Sequence, residues 1–413
     1  MLPGRLLPTS LASKLQISLR SIVTGSSSPS PPMSGLPAQR VVVCGGGVIG
    51  ACTAYYLSKK AAAVTLVEQS SVACAASGKA GGFLSLDMCD GEPIAALART
   101  GYNLHRSLAQ ELNGPESYGY RPLTSLLVTV KESSSAQPSE GLPSWVDGPA
   151  AGPETVWTAE TTAQLHPQLF TRAVLAKAVE SYGVEVVMGK VERVGVVEEE
   201  EEGRGRVDSV VLAGGRVIEA DSVVLALGPW SGKFEMLSSL FRVYGIRTHS
   251  IVLEPKNPDV LTPHAVFLDY YPAEGGHMEP EVYARPTGEV YLCGVSSQME
   301  VPDDPEQITV NPESIKVLKR VAGTLSSHLA AGEARVKAEQ ACFLPYTDDK
   351  VPVIGELPGV KGCYVATGHY AWGILTGPST GAAVAELVLD GQSKIVDLTN
   401  YSPARFVGGQ RKD

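Results

Sequence analysis

The chain has 413 residues, too many for one compact core, so two packed domains are expected. Hydrophobic residues make up 44% and charged residues 19%, the balance of an ordinary globular protein. A formal net charge of −10 argues against a nucleic-acid partner, because phosphate contacts need a basic face.

The seven cysteines are scattered, with neither a Cys-x-x-Cys pair nor a zinc-ligand spacing. An odd number in a long chain fits reduced thiols better than a disulfide framework. No apolar run is long enough to span a bilayer; the best, Val41 to Leu57, is broken by four glycines. Residues 1–37 contain Arg5, Lys14 and Arg20, no acid and many serines. That composition suits a mitochondrial targeting segment. The other reading is a disordered tail on a cytoplasmic protein, with Met33 as an alternative start.

From Arg40 the texture changes. Val41-Val42-Val43-Cys44 is a β-branched run that predicts a buried parallel strand. Val48 to Lys60 predicts a helix and Val64 to Val67 a second strand, together a βαβ unit. Pro93 to Leu112 has helical spacing. Lys131 to Pro153 is rich in Ser, Pro and Gly and predicts an exposed loop. Thr171 to Tyr182 predicts a helix, followed by strands at Gly183 to Val187 and Val191 to Val197. The five acids Glu198 to Glu202 predict a solvated hairpin tip. Strands follow at Val207 to Leu212 and Val223 to Leu227. Between Ile246 and Gly294 four strands come without intervening helices, which predicts a mainly antiparallel sheet. Ser314 to Leu329 predicts a helix. From Cys363 to Leu389 the pattern returns to strand, glycine-rich turn and helix.

The turn Gly45-Gly46-Gly47-Val48-Ile49-Gly50 fits G-x-G-x-x-G between a strand and a helix. Gly45 serves the tight turn, Gly47 lets the backbone approach a pyrophosphate, and Gly50 lets helix and strand pack closely. The helix N-terminus offers free amides and partial positive charge to phosphate. Glu68 stands 18 positions after Gly50, at the end of the second strand, with Gln69 beside it. A carboxylate there accepts hydrogen bonds from a ribose diol and repels a 2′-phosphate, which favours FAD or NAD over NADP.

Three further segments favour FAD. Ser77-Gly78-Lys79-Ala80-Gly81-Gly82-Phe83 places small residues soon after the second strand, where amides can approach a pyrophosphate or flavin. Ala226-Leu227-Gly228-Pro229-Trp230 closes a later strand. Ala366 to Leu375 sets a strand, a turn and a helix start in series, whose amides can stabilise negative charge on a reduced flavin. An NAD enzyme of Rossmann type is the alternative, and it would be colourless.

Together these segments resemble the D-amino-acid oxidase-like (DAO) superfamily of FAD-dependent oxidoreductases, which includes glycine oxidase and sarcosine oxidase. The most specific part runs from Pro352-Val353-Ile354-Gly355 through Gly368-His369 and Gly373-Ile374 to Gly377-Pro378-Ser379-Thr380-Gly381. Within that superfamily the chain is most similar to little-characterised eukaryotic members.

The resemblance implies an α/β fold in which a discontinuous Rossmann-type FAD-binding domain (38–90, 160–245 and 336–400) carries an inserted, mainly antiparallel β substrate domain (91–159 and 246–335). It implies that Gly45, Gly47, Val48, Ile49 and Gly50 hold the pyrophosphate, and that Glu68, with Gln69, holds the adenosine ribose. Ser77, Gly78, Gly81 and Gly82 would lie along pyrophosphate and flavin, Val191 at adenine, and Gly228 and Trp230 at the cofactor's border. Gly368, His369, Gly373, Ile374 and Leu375 would sit at the flavin's pyrimidine edge. His369 and Tyr370 are the candidate catalytic residues, His369 as acid–base group or flavin hydrogen-bonder, and Tyr370 with Trp372 is also a candidate pocket wall.

Two positions stand apart from that pattern. Glycine oxidase-like members grip the substrate carboxylate with an Arg before a Pro, where this chain has Leu344 before Pro345. Arg285 and Arg247 are the substitutes to weigh against plain structural arginines. Cys342, 13 positions before Gly355, stands where sarcosine oxidase-like members carry a cysteine bonded to the flavin; the other reading is a small buried residue. The expected activity is oxidation of a C–N bond in a small molecule by hydride transfer to flavin, with oxygen or an electron carrier as acceptor. The alternative is a flavin-binding trafficking or assembly protein.

Overall fold

A computed structural model describes residues 38–199 and 204–407. The predicted targeting segment lies outside them, as does most of the acidic hairpin tip. The flanks of that tip, Val191–Glu199 and Arg204–Leu212, pair antiparallel.

A six-stranded sheet carries the nucleotide turn. Its spatial order is Val353–Glu356, Cys363–Thr367, Ser222–Leu225, Arg40–Cys44, Ala63–Glu68, Glu185–Met188. The first of these runs antiparallel to its neighbour and the other contacts are parallel. Val41 to Cys44 are at most 1% exposed, which is why that strand reads as a continuous apolar run rather than an alternating one. On one face the helices Val48–Lys59, Pro167–Tyr182 and Gly373–Asp390 pack into a single core. The first and last of these come very close. A Cβ on Gly381 would lie 2.6 Å from the Cys52 backbone, and one on Gly377 would lie 2.8 Å from Val48. Small residues are what permits that approach.

A seven-stranded sheet forms the second layer, in the order Ala334–Thr347, Val243–Pro255, Val290–Gln298, Glu281–Ala284, His264–Tyr271, Thr124–Lys131, Ala150–Trp157. All its pairings are antiparallel except His264–Tyr271 with Thr124–Lys131. One face packs on the amphipathic helix Pro312–Leu325, with Trp145 fully buried between. The architecture is a Rossmann-type domain plus a mainly antiparallel substrate domain. Among the described residues no helix is long and apolar enough to cross a membrane.

The chain distributes itself differently from the expected boundaries in two places. The helix Ala95–Glu111 joins the Rossmann-side core through Leu97, Tyr102 and Leu108, whereas Thr124–Lys131 and Ala150–Trp157 join the large sheet. The 14-residue strand Ala334–Thr347 has no counterpart in the predicted elements, and it forms the edge of the large sheet. Its Arg335, Lys337 and Glu339 alternate with small residues and mask the apolar period. The loop after Lys131 is not wholly exposed either. Trp145 anchors it, donating from Nε1 to Thr262 Oγ1 at 3.0 Å.

Candidate active site

The site starts at the mouth of the first strand. Gly45 has φ +116°, and a Cβ on it would meet Ala226 O at 2.3 Å. A Cβ on Gly50 would lie 1.8 Å from Gly45 O, so both positions exclude a side chain. The glycine turn therefore opens directly onto the N-terminus of the 12-residue helix Val48–Lys59. One first-turn donor, Val48 N–H, is met by Ser77 Oγ at 2.9 Å. The Glu68 carboxylate faces the same turn: Oε2 accepts from Gly46 N–H at 2.7 Å and Oε1 from Ser70 N–H at 2.9 Å. Burial pushes this carboxyl up from the usual range, and the amide hydrogen bonds oppose that shift.

From here a cleft of about 340 Å³ runs across the C-terminal edge of the Rossmann sheet to the large sheet. Of the residues expected at a cofactor, Gly45, Gly47, Val48, Ile49, Glu68, Gln69, Ser77, Val191, Gly228, Trp230, Gly373 and Ile374 line it. His369 and Tyr370 line its far end beside Leu344 and Pro345. Helix N-termini and sheet edge converge there as in an open α/β nucleotide site.

Other expected residues stand outside the lining. Gly50 supports the turn from behind. Gly78 packs on the Ala73 backbone, where a Cβ would lie 1.9 Å from Ala73 O. Gly81 abuts the Tyr283 ring, and Gly82, with φ +85°, abuts Leu165 O. Gly368, with φ +76°, makes the turn against Thr347, and Leu375 is buried in the Rossmann-side core. These residues shape the loops that form the cleft. The glycine signal marks close approach of a backbone, and here the approaching group is the protein itself.

Residues with no sequence signal also border the cleft: Ser71, Cys74, Lys190, Lys233, Asp303 and Pro305. The segment around Asp303 straps one side. Trp230 Nε1 donates to Pro302 O at 2.8 Å, and Lys233 pairs with Asp303 at 2.5 Å. Gln69 donates to Asp304, so its side chain secures the strap.

His369 is buried, with Nε2 3.1 Å from Thr380 Oγ1. Burial lowers its pKa to about 3, so it is neutral across the working range and a very weak base. A buried imidazole favoured in its neutral form suits the hydrogen-bonding role expected of His369. Tyr370 has φ +51°, a left-handed backbone uncommon for a bulky residue. Its ring lies 4.1 Å from that of Tyr346 and is 37% exposed.

Cys342 does not line the cleft. Burial raises its thiol to about 11, although Lys79 works against the shift, and a neutral thiol is a poor nucleophile. Neither Arg285 nor Arg247 lines the cleft beside Leu344. Arg285, its side chain 4% exposed, pairs with Glu289 at 3.4 Å and lies over Tyr291. Arg247 pairs in register with Phe343, whereas Leu344 pairs with Ile246, so Arg247 and Leu344 point to opposite faces of the sheet.

Residues 40–387 match the family of FAD dependent oxidoreductases designated DAO. The chain belongs to the DAO family of FAD-dependent oxidoreductases. This DAO-family chain is 31% identical over 378 residues to the Schizosaccharomyces pombe protein C1F5.03c, which carries the name of an oxidoreductase, covering 86% of this chain and 95% of that one. It is 25% identical over 394 residues to glycine oxidase of Geobacillus kaustophilus, covering 89% and 97%. The crystal structure of glycine oxidase from Geobacillus kaustophilus matches with a TM-score of 0.71 at 22% identity, covering 90% of this chain and all of that one (100%). Iminodiacetate oxidase from Chelativorans sp. BNC1 matches with a TM-score of 0.69 at 19% identity, covering 88% and 99%. The DAO-family assignment makes FAD the cofactor. The cleft fits it: an amide-rich helix N-terminus for a diphosphate, a carboxylate for a diol, and a long channel with a partly apolar far end.

Proposed function

We propose that this enzyme oxidises a C–N bond of a small amine or N-substituted, amino-acid-like molecule. The observation that carries the reading is the unbroken cleft from the Gly45 turn to Leu344, Pro345 and Tyr370. A dinucleotide would be held along it with its diphosphate at the helix terminus. FAD, when bound, supplies the hydride acceptor. Gly45, Gly47, Val48 and Ile49 would hold the diphosphate and Glu68 the adenosine ribose, while Val191, Gly228 and Trp230 would border the cofactor.

The protein's own part is to bind, orient and exclude water. Substrate carbon loses a hydride and nitrogen a proton. Water adds to the resulting imine to give a carbonyl compound and the free amine, and oxygen or an electron carrier then takes the two electrons. No protein base is required for the hydride step, which suits a cleft whose lining histidine, His369, is favoured in its neutral form by burial. The names of relatives that oxidise glycine and iminodiacetate support the substrate class. Leu344 narrows it: a carboxylate in an apolar pocket without a guanidinium is costly, so ordinary free amino acids are disfavoured.

Anaerobic addition of primary and secondary amines tests the reading. Bleaching of the flavin's visible absorbance, with a carbonyl product, is expected; no bleaching by any amine contradicts it. Leu344 also favours a second reading, a flavin-binding trafficking or assembly protein. An FAD spectrum that neither amines nor sulfite perturb would select that one.

A further inference from the structure

The segment between the strand Val290–Gln298 and the helix Pro312–Leu325 belongs to the substrate domain, yet its middle lies against the nucleotide cleft. Its contacts fall on both sides of the glycine turn. On one side, Trp230 Nε1 donates to Pro302 O at 2.8 Å and Lys233 pairs with Asp303 at 2.5 Å, in the turn that follows Ser222–Leu225. On the other, Gln69 donates to Asp304 and Ser70 to Glu306, just after Ala63–Glu68. Lys190, just after Glu185–Met188, pairs with Asp304 at 3.3 Å. Ser222–Leu225 and Ala63–Glu68 are the two neighbours of Arg40–Cys44, whose end carries the Gly45 turn. They lie about 10 Å apart, two strand spacings. The run from Pro302 to Glu306 covers that distance at about 3.3 Å per residue. The strap therefore crosses in front of the strand end that presents the helix amides, and Asp303 and Pro305 form the cleft wall there.

The strap is fixed at its ends and loosely held between them. Val301 is buried, its Cγ2 2.5 Å from where a Cβ on Gly245 would stand, and Asn311 N–H donates to His249 Nε2 at 3.0 Å. Both ends are thus seated on the large sheet. None of residues 302–310 is buried. The amides of Gln307 and Ile308 bond within the strap, to Asp304 O and Pro305 O. Polar contacts, several of them to exposed lysines, hold the middle down, and each is worth little alone in water. A segment with no buried apolar residue opens locally at small cost while Val301 and Asn311 stay in place.

We infer that residues 302–308 are a gate on the cofactor site: the strap swings away to admit or release FAD and closes across it, so the substrate domain sets the rate of cofactor exchange. Its pins are Lys190 and Lys233, which line the cleft, and the groups they hold are acids. That gives the gate a signature opposite in sign to simple electrostatics. Asp303 and Asp304 bring negative charge to a cleft built for a diphosphate, so on Coulomb grounds alone their removal makes FAD leave more slowly. As pins of the strap, their removal makes FAD leave faster.

The test compares the FAD-loaded wild type with Asp303→Asn/Asp304→Asn. FAD release after dilution and FAD uptake by the apoprotein are both followed by flavin fluorescence. The variant is expected to release FAD about 10-fold faster, the combined effect of several weak contacts. It is expected to take FAD up faster as well, because opening precedes both events. Release that is unchanged or slower overturns the gate. Release that quickens while uptake does not also overturns it, since that pattern marks the two acids as direct contacts of bound FAD. Should the variant fail to fold or to bind FAD, a Glu-specific protease decides on the wild type. Bound FAD is expected to slow cleavage after Glu306 about 10-fold, by stabilising the closed strap. Equal cleavage with and without FAD overturns the gate.

Discussion

The Gly46 amide and the Glu68 carboxylate are joined by a 2.7 Å hydrogen bond that ties the nucleotide turn to the end of the second strand. Strand pairing places the two side by side, since Cys44 and Val67 are partners in the parallel ladder. Glu68 is thus held by its own backbone neighbours before any ribose arrives. Replacing it by alanine removes both the brace and the acceptor for a ribose diol. Glu68→Ala is expected to weaken FAD binding by roughly 10- to 100-fold, as befits the loss of hydrogen bonds to a charged group. Titration of apoprotein with FAD, followed by fluorescence quenching, measures it.

The turn tolerates no added carbon at its third glycine. With Gly45 O only 1.8 Å from the position a Cβ would take, Gly50→Ala must push helix Val48–Lys59 away from the strand. The expected cost is about 1–3 kcal/mol of stability, with loss of bound FAD, because the amides move with the helix. Thermal melts and the colour of the purified variant check the two halves of this prediction.

Three histidines, His105 and His369 buried and His166 half-buried, contribute to acid sensitivity in a definite direction. Burial lowers His105 to about 4, and His166 and His369 to about 3, against an ordinary 6.5. Below 6.5 the unfolded chain binds protons that the fold refuses, so stability falls as pH drops from 6.5 toward 4 and these groups add nothing to the slope above 6.5. Each contributes up to ~1.4 kcal/mol per pH unit in that window. His105→Gln, which keeps a donor for Ile374 O, is expected to flatten the slope of denaturant stability against pH. The rate of flavin reduction should show no inflection near 6.5 that His369→Asn removes.

Cys342 predicts a non-covalent cofactor. Its thiol is raised to about 11 and it stands outside the cleft lining. Acid precipitation of the enzyme is expected to leave all the flavin in the supernatant, with Cys342→Ser behaving identically. Colour that stays with the pellet in the wild type and leaves it in Cys342→Ser would contradict this.

Legibility in the sequence followed the locality of the cause. Val41–Cys44, the glycine turn and Glu68 form one contiguous βαβ unit whose geometry is local, so motif and spacing suffice. The same holds for the strand–turn–helix from Cys363 to Asp390. Gly81 and Gly82 were legible as glycines that something approaches closely. That the approaching groups are Tyr283 and Leu165 depends on long-range packing. Asp303 and Lys233 meet through a loop that carries no motif, and the face on which Leu344 sits is set only by the register of a strand hidden behind alternating charges. Pairwise register across a sheet leaves no trace in any one segment.

The most direct test of the account is the absorbance spectrum of the purified, folded chain, with its FAD content per chain. The account predicts a yellow protein carrying about one FAD per chain, bound in the cleft at the Gly45 turn. A folded, colourless protein that takes up no FAD when it is supplied would contradict it.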